Sequence, residues 1–375
     1  MENWPQQDTS RMSGGAGIKM IVLFILLLLA AAFRLRAADG ETREYMSVNM
    51  TNSIKGFFLC LVFLAHIQGS ADFSHPYLDE LYQFIRRIMG QCIVAMFLFY
   101  SGYGVMESVK RKGQSYVKKL PAQRLLKVLL QFDSAVLLFW LYRQLTGKQT
   151  GIGKMLLSLI GWDSLGNSNW YIFCILCLYI FTYIALNVFK DNYAKAAFGI
   201  FLLSLLYIAV ICRAGKDYWW FDTILCYSWG MFFSLYRVKI ESFVNESPAS
   251  WIFFVTVFAA GYLAAYFYKG ASFIVYQLWV FCFVAAVVSF TMRFVVDSAP
   301  LRWIGIYLFE LYILQRLPMN ILKPYMLGEG TPPAGKYVYV LVCFGVSLII
   351  SILYRGTIGR AVSSILKIKS RNKIV

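Results

Sequence analysis

The sequence predicts an all-α fold, a polytopic transmembrane helix bundle of about eleven spans, on three observations. Hydrophobic residues fill 59% of the 375 positions and charged residues 15%, against roughly 45–50% and 25% in soluble domains; mean hydropathy is +0.60. The apolar residues gather into long runs such as Ile18–Phe33, Ala249–Tyr268 and Tyr337–Tyr354. Such runs approach the ~20 residues that a helix needs to cross a hydrocarbon core of about 30 Å. The cations, thirdly, collect between the runs instead of within them.

In chain order the spans are expected near 18–34, 54–68, 88–107, 122–145, 169–189, 193–212, 219–236, 249–268, 272–295, 301–322 and 336–355. The first is aliphatic throughout. Glu2, Asp8 and Arg11 before it do not make a basic n-region, and Phe33-Arg34-Leu35-Arg36 is a poor cleavage site, so it reads as a retained anchor and not a signal peptide. The second is short and polar at both ends, the weakest span by hydropathy. The fourth opens with Pro121, which suits a first helical turn. The fifth and seventh begin with Trp170-Tyr171 and Trp219-Trp220, expected to form an interfacial aromatic belt. The tenth contains Pro318, a candidate kink. Gly153–Gly161 is apolar but too short to span, and is expected to be re-entrant or interfacial. No repeat of 20–50 residues and no soluble module is visible.

Charge orients the chain. Lys110, Arg111, Lys112, Lys118, Lys119, Arg124 and Lys127 face one acid, Glu107, while Arg355, Arg360, Lys367, Lys369, Arg371 and Lys373 face none. The loop after the second span holds Asp72, Asp79 and Glu80 against Arg86 and Arg87. The positive-inside rule puts the first two regions in the cytoplasm and the loop outside. Eleven crossings then leave the N-terminus outside and the C-terminus inside. The net charge of +17 is accounted for by topology, which excludes nucleic acid as the partner and leaves the bilayer. All eight cysteines fall within spans. Cys174-x-x-Cys177 has a metal-like spacing but no second pair, so packing thiols and no metal site are expected.

Ionisable groups inside a span are costly and mark candidate sites. Lys55 and His66 lie eleven residues apart, so on a helix they share a face, separated by about 20° in azimuth and ~16 Å in height. A neutral imidazole can take a proton from a hydroxyl; the plainer alternative is a helix-end histidine meeting headgroups. Arg124 and Lys127 are i,i+3 neighbours at the mouth of the fourth span, suited to phosphate groups or to ordinary anchoring. Around Phe97–Tyr103, Gly102 and Gly104 permit close helix contact or a local break. Ser101, Tyr103, Asp133, Glu310 and Gln315 are candidate cavity-lining groups, with Glu310 and Gln315 about 140° apart on an ideal helix.

Ile54-Lys55-Gly56 with an apolar run to His66, then Phe97–Tyr103, then Arg124-Leu125-Leu126-Lys127, stand in the order seen in the membrane acyltransferase 3 family. Trp303–Gln315 resembles that family's Gly-Lys-x-Ser-x-x-x-Tyr-Leu-x-His helix. The resemblance covers roughly residues 50–355. It implies a ten-helix core at 51–355, preceded by a tail (1–17) and an added anchor with its loop (18–50), and followed by a basic cytoplasmic tail (356–375). It also implies a multi-pass protein of the bacterial cytoplasmic membrane that transfers an acyl group, usually acetyl, from acyl-CoA to a hydroxyl of an envelope or exported carbohydrate. No permanently bound cofactor is implied; acyl-CoA is the donor substrate. His66 matches the family's essential histidine, Lys55 stands where many members have arginine, and Lys127 occupies the second basic position of Arg-x-x-Arg. Both lysines keep the charge but lose the arginine fork. Gln315 replaces a late histidine. A transporter or flippase of a polar or lipid-linked substrate is the alternative that the spans and buried charges also suit.

Overall fold

A computed structural model describes residues 20–32, 35–37, 44–70 and 78–367. The tail at 1–17, Asp72 and the cations Lys369, Arg371 and Lys373 lie outside the described residues, as does the side chain of Asp79. The chain is helical almost throughout. Helix α1 (Met20–Ala32) leads to α2 (Val48–Ile67), then α3 (Leu78–Met89), α4 (Cys92–Lys112) and α5 (Gln114–Leu120). A π-helical turn, Pro121–Leu126, joins α5 to α6 (Lys127–Leu145), and α7 (Ile152–Leu159) follows. Then come α8 (Trp170–Val188), α9 (Tyr193–Arg213), α10 (Leu225–Val244), α11 (Pro248–Tyr268) and α12 (Phe273–Thr291). The last elements are α13 (Ala299–Ile306), α14 (Leu308–Leu314), α15 (Arg316–Met326), α16 (Pro333–Gly356) and α17 (Ile358–Ile365).

Side chains set the starts of several helices. Ser47, Asn192, Ser247 and Ser272 each cap an N-terminus by accepting from a backbone N–H three residues on, which satisfies a donor that the helix cannot. Gly113, at φ +55, ends α4 in the left-handed region that glycine reaches without strain. One short sheet departs from the all-α pattern. Strand β1 (Leu35–Ala37) pairs antiparallel with β2 (Phe294–Val296), tying the segment after α1 to the α12–α13 connection.

All eleven expected regions are helical, and eight helices are long and apolar enough to cross a bilayer. The other three differ for separate reasons. Helix α1 is described over 13 residues, α10 carries Arg237, Lys239 and Glu241, and the expected 301–322 span is divided into α13, α14 and α15. The second span is longer than hydropathy indicated, because Ser47 starts it at Val48. Amphipathic α3 and α17 occupy regions read as loop and tail.

Apolar side chains cover the outside as well as the core. Helix α11 buries only Ala265, and leucines such as Leu26, Leu29 and Leu206 lie exposed, an arrangement suited to lipid as the solvent. Helix α2 is the most enclosed of the eight candidate spans. It packs against α13, α4, α1, α14 and α15. Two close crossings organise the interior. A Cβ on Gly56 would strike the Leu301 carbonyl, and one on Gly305 the Asn52 carbonyl. On the other side, Gly102 abuts the Tyr227 carbonyl and Gly230 the Phe99 carbonyl. Small residues let helix backbones touch where lipid offers no hydrophobic drive to associate. In Phe97–Tyr103, close packing is therefore what Gly102 supplies.

Gly230→Val should lower the melting temperature in detergent, since the clash is with backbone and overpacking costs about 1–3 kcal/mol. Gly104→Ala, with nothing within 4 Å of the added methyl, should leave it unchanged or raise it. Equal tolerance of the two would contradict the packing described.

Candidate active site

The site is built along α2. Lys55 and His66 are half-buried there, while Ile54, Phe58, Leu59, Phe63 and Ile67 around them are buried. Because α2 begins at Val48, Lys55 lies about two turns inside the helix and His66 falls in its last turn.

His66 nonetheless does not simply face headgroups. Its Nδ1 lies 3.0 Å from Gln315 Nε2, and its ring centroid is 6.2 Å from that of Tyr312. The aromatic contacts continue from Tyr312 to Tyr171 at 5.3 Å and from Tyr171 to Phe97 at 6.3 Å. Arg316 is close enough to interact with His66 electrostatically. Gln315 is thus joined to His66. Tyr171, expected in an aromatic belt, packs into this wall. Trp220 is buried, packed on Trp162 and Phe173 at 5.9 and 5.7 Å. The signal that would have found Tyr312 and Arg316 is spacing. With Gln315 they stand at i, i+3 and i+4, one helical face.

The second polar region lies toward the other end of α2. Lys55 is within electrostatic reach of Arg124, and Lys127 of Arg124, Glu310 and Arg355. Arg124 rides on the π-helical turn that Pro121 opens, a geometry often found at functional sites. Its Nε donates to Tyr116 Oη at 3.2 Å, and Tyr179 and Tyr227 also act on it. Arg355 was counted in the sequence only as a topology charge. It donates to the Ile306 carbonyl at 2.6 Å and lies 5.2 Å from the Tyr307 ring centroid. Among the described residues no carboxylate pairs directly with Lys55, Arg124 or Lys127. These cations are left available to an anion.

The remaining candidates divide. Ser101 Oγ is 3.4 Å from Tyr179 Oη, which connects it to the shell of Arg124. Asp133 and Glu310 both act on Tyr354, and Asp133 Oδ1 is buried without a partner. Glu310 is therefore on the basic side and Gln315 on the histidine side, as the angle between them suggested. Tyr103 belongs elsewhere. Its hydroxyl accepts from Arg237 Nη1 at 2.8 Å, and Arg237 Nε and Tyr45 Oη each reach Glu241 Oε1 at 2.6 Å, a network pinning the segment before α2 to α4 and α10. Cys174 and Cys177 are free, and no cluster of His, Cys, Asp or Glu among the described residues is arranged to hold a metal.

A family model described as an acyltransferase domain matches residues 51–356. No curated protein and no solved structure matches the chain.

The Gln315–His66 contact is open to direct measurement, because the chain has two histidines, His66 and His75. With ¹⁵N-labelled histidine and His75→Asn for assignment, Gln315→Leu should shift the His66 ring nitrogens and leave those of His75 in place. An unmoved His66 signal would show that the amide does not hold the ring.

Proposed function

Because this chain belongs to the membrane acyltransferase 3 family, we propose that it moves an acyl group, acetyl first among the candidates, from acyl-CoA to a hydroxyl of an envelope or exported carbohydrate. Its setting in this reading is the bacterial cytoplasmic membrane, with the N-terminus outside and the C-terminus in the cytoplasm. The observation that carries the proposal is the polarity of one helix. Lys55 and His66 share α2, about 16 Å apart along its axis, with basic groups gathered near one and Gln315 and Tyr312 beside the other.

Arg124 and Lys127 receive the phosphates of acyl-CoA at the cytoplasmic mouth, with Arg355 next to them and Lys55 lining the way inward. The extended pantetheine arm then carries the thioester toward His66. There the imidazole takes the proton of the acceptor hydroxyl as the oxygen attacks the thioester carbonyl. The tetrahedral intermediate collapses, the carbon–sulfur bond breaks, and the departing thiolate takes the proton from the imidazolium to leave as free CoA. Gln315 has a positioning role. A carboxamide offers an acceptor and a donor; its nitrogen is the atom set against Nδ1 here, and with the amide turned about its last bond its oxygen takes the Nδ1–H and leaves the imidazole Nε2 unprotonated, able to receive the hydroxyl proton. The same nitrogen would be the nucleophile if an acyl-histidine intermediate forms.

Transport of a polar or lipid-linked substrate is the rival reading, favoured by the interrupted segment α13–α14–α15, since broken helices are a device of transporters. Release of CoA by the purified protein separates the two. A transporter moves its substrate without cleaving a thioester.

His66→Ala should reduce acyl transfer roughly a hundred-fold or more, with the melting temperature retained. Arg124→Ala or Lys127→Ala should instead raise the KM for acyl-CoA with less effect on kcat. Full transfer by a stable His66→Ala protein would remove His66 from the chemistry.

A further inference from the structure

Among the described residues, the half-buried arginines follow a pattern with one exception. Arg124, Arg143, Arg237, Arg293 and Arg302 each donate to a hydrogen-bonded acceptor. Arg316, the first residue of α15, is half-buried too, yet its Nε is sealed from solvent without a partner. No carboxylate bonds to it among the described residues. A guanidinium does not shed its charge, and an unpaired charge in a low-dielectric interior carries a heavy desolvation cost.

Its neighbours share the deficit. Tyr312 Oη and Gln315 Oε1 are also buried and unpartnered, although Tyr312 is 4% exposed and Gln315 0%. The Gln315 N–H bonds to the Leu311 carbonyl at 2.9 Å, so the chain keeps a helical path through the α14–α15 junction and the three side chains share one face. That face meets His66. Two donors, Arg316 and Tyr312, thus stand unused beside one imidazole.

We propose that this face is the acceptor subsite, and that it takes a carbohydrate bearing an anionic group, a carboxylate or a phosphate, which pairs with Arg316 and Tyr312. The inference rests on reading His66 as the acceptor end of an acyltransferase and narrows the acceptor class. It also connects binding to chemistry. A proton arriving on His66 next to an unpaired guanidinium would set two cations side by side. An anion on Arg316 removes that repulsion, so an acidic acceptor assists its own deprotonation, and binding energy is expressed in the reaction step.

The test uses purified full-length protein in neutral phosphatidylcholine nanodiscs with acetyl-CoA. The acceptors are a panel of uronic-acid and phosphate-bearing oligosaccharides, each paired with its methyl ester or dephosphorylated form. Wild type should favour the acidic member by about tenfold or more in kcat/KM, because a neutral analogue leaves buried donors unpaired. Arg316→Gln should abolish that preference by losing the acidic substrates alone, and Arg316→Lys should keep part of it. Equal use of both members by wild type, or an equal loss on both in Arg316→Gln, would overturn the acidic subsite while leaving the acyltransferase standing. Suppression of both by added phosphatidylglycerol would assign the cation to a lipid headgroup and overturn it likewise. Absence of both CoA release and transfer across the panel would overturn the acyltransferase reading, and this inference with it.

Discussion

The contact of Gly56 with Gly305 governs where the polar groups lie. Two backbones touch there, which neither helix could do with a Cβ in the crossing. Gly56 adjoins Lys55, so the crossing fixes the basic end of α2. Gly305 lies in the last turn of α13, the first piece of the segment that continues into α14 and α15, and so the same crossing sets how far along α2 that segment delivers Gln315. The depth at which Gln315 meets His66 is thus set by backbone packing some distance away. This is a rigid way to place a site in lipid, where helix association depends on close packing.

Enclosure by neighbouring helices also explains how a polar helix resides in a bilayer. Asn49, Thr51, Asn52, Ser53, Lys55 and His66 would be expensive against acyl chains. Helix α2 is screened on several sides, whereas α11 turns nearly every residue outward. Hydropathy averages around a helix and records lipid preference, so it underrated α2 for the reason that makes α2 central. Its opening turns are polar and its start is set by the hydroxyl of Ser47, which a hydrophobicity window does not register.

The same physics marks what could be read from residue order. Spans were legible, because apolar runs of bilayer length have few other uses. The alignment of Lys55 with His66 was legible, because helical periodicity needs no knowledge of neighbours. Residues that join the site from distant helices were not. Tyr171 reads as a headgroup anchor until Tyr312 is seen against it, Arg355 as a topology charge until Lys127 and Glu310 are placed nearby, and Arg316 as one more cation. The break at Tyr307 was likewise hidden, since Pro318 marked only the junction at Gln315, where the chain keeps its helical path.

The central claim is that donor and acceptor meet within α2 from opposite sides of the membrane. Proteoliposomes with oriented protein test it most directly, with acyl-CoA confined to the cytoplasmic side and the acceptor to the other. The account predicts acylated acceptor on the outer side and free CoA on the cytoplasmic side, in equal amounts. Transfer only when both substrates share one compartment would contradict it.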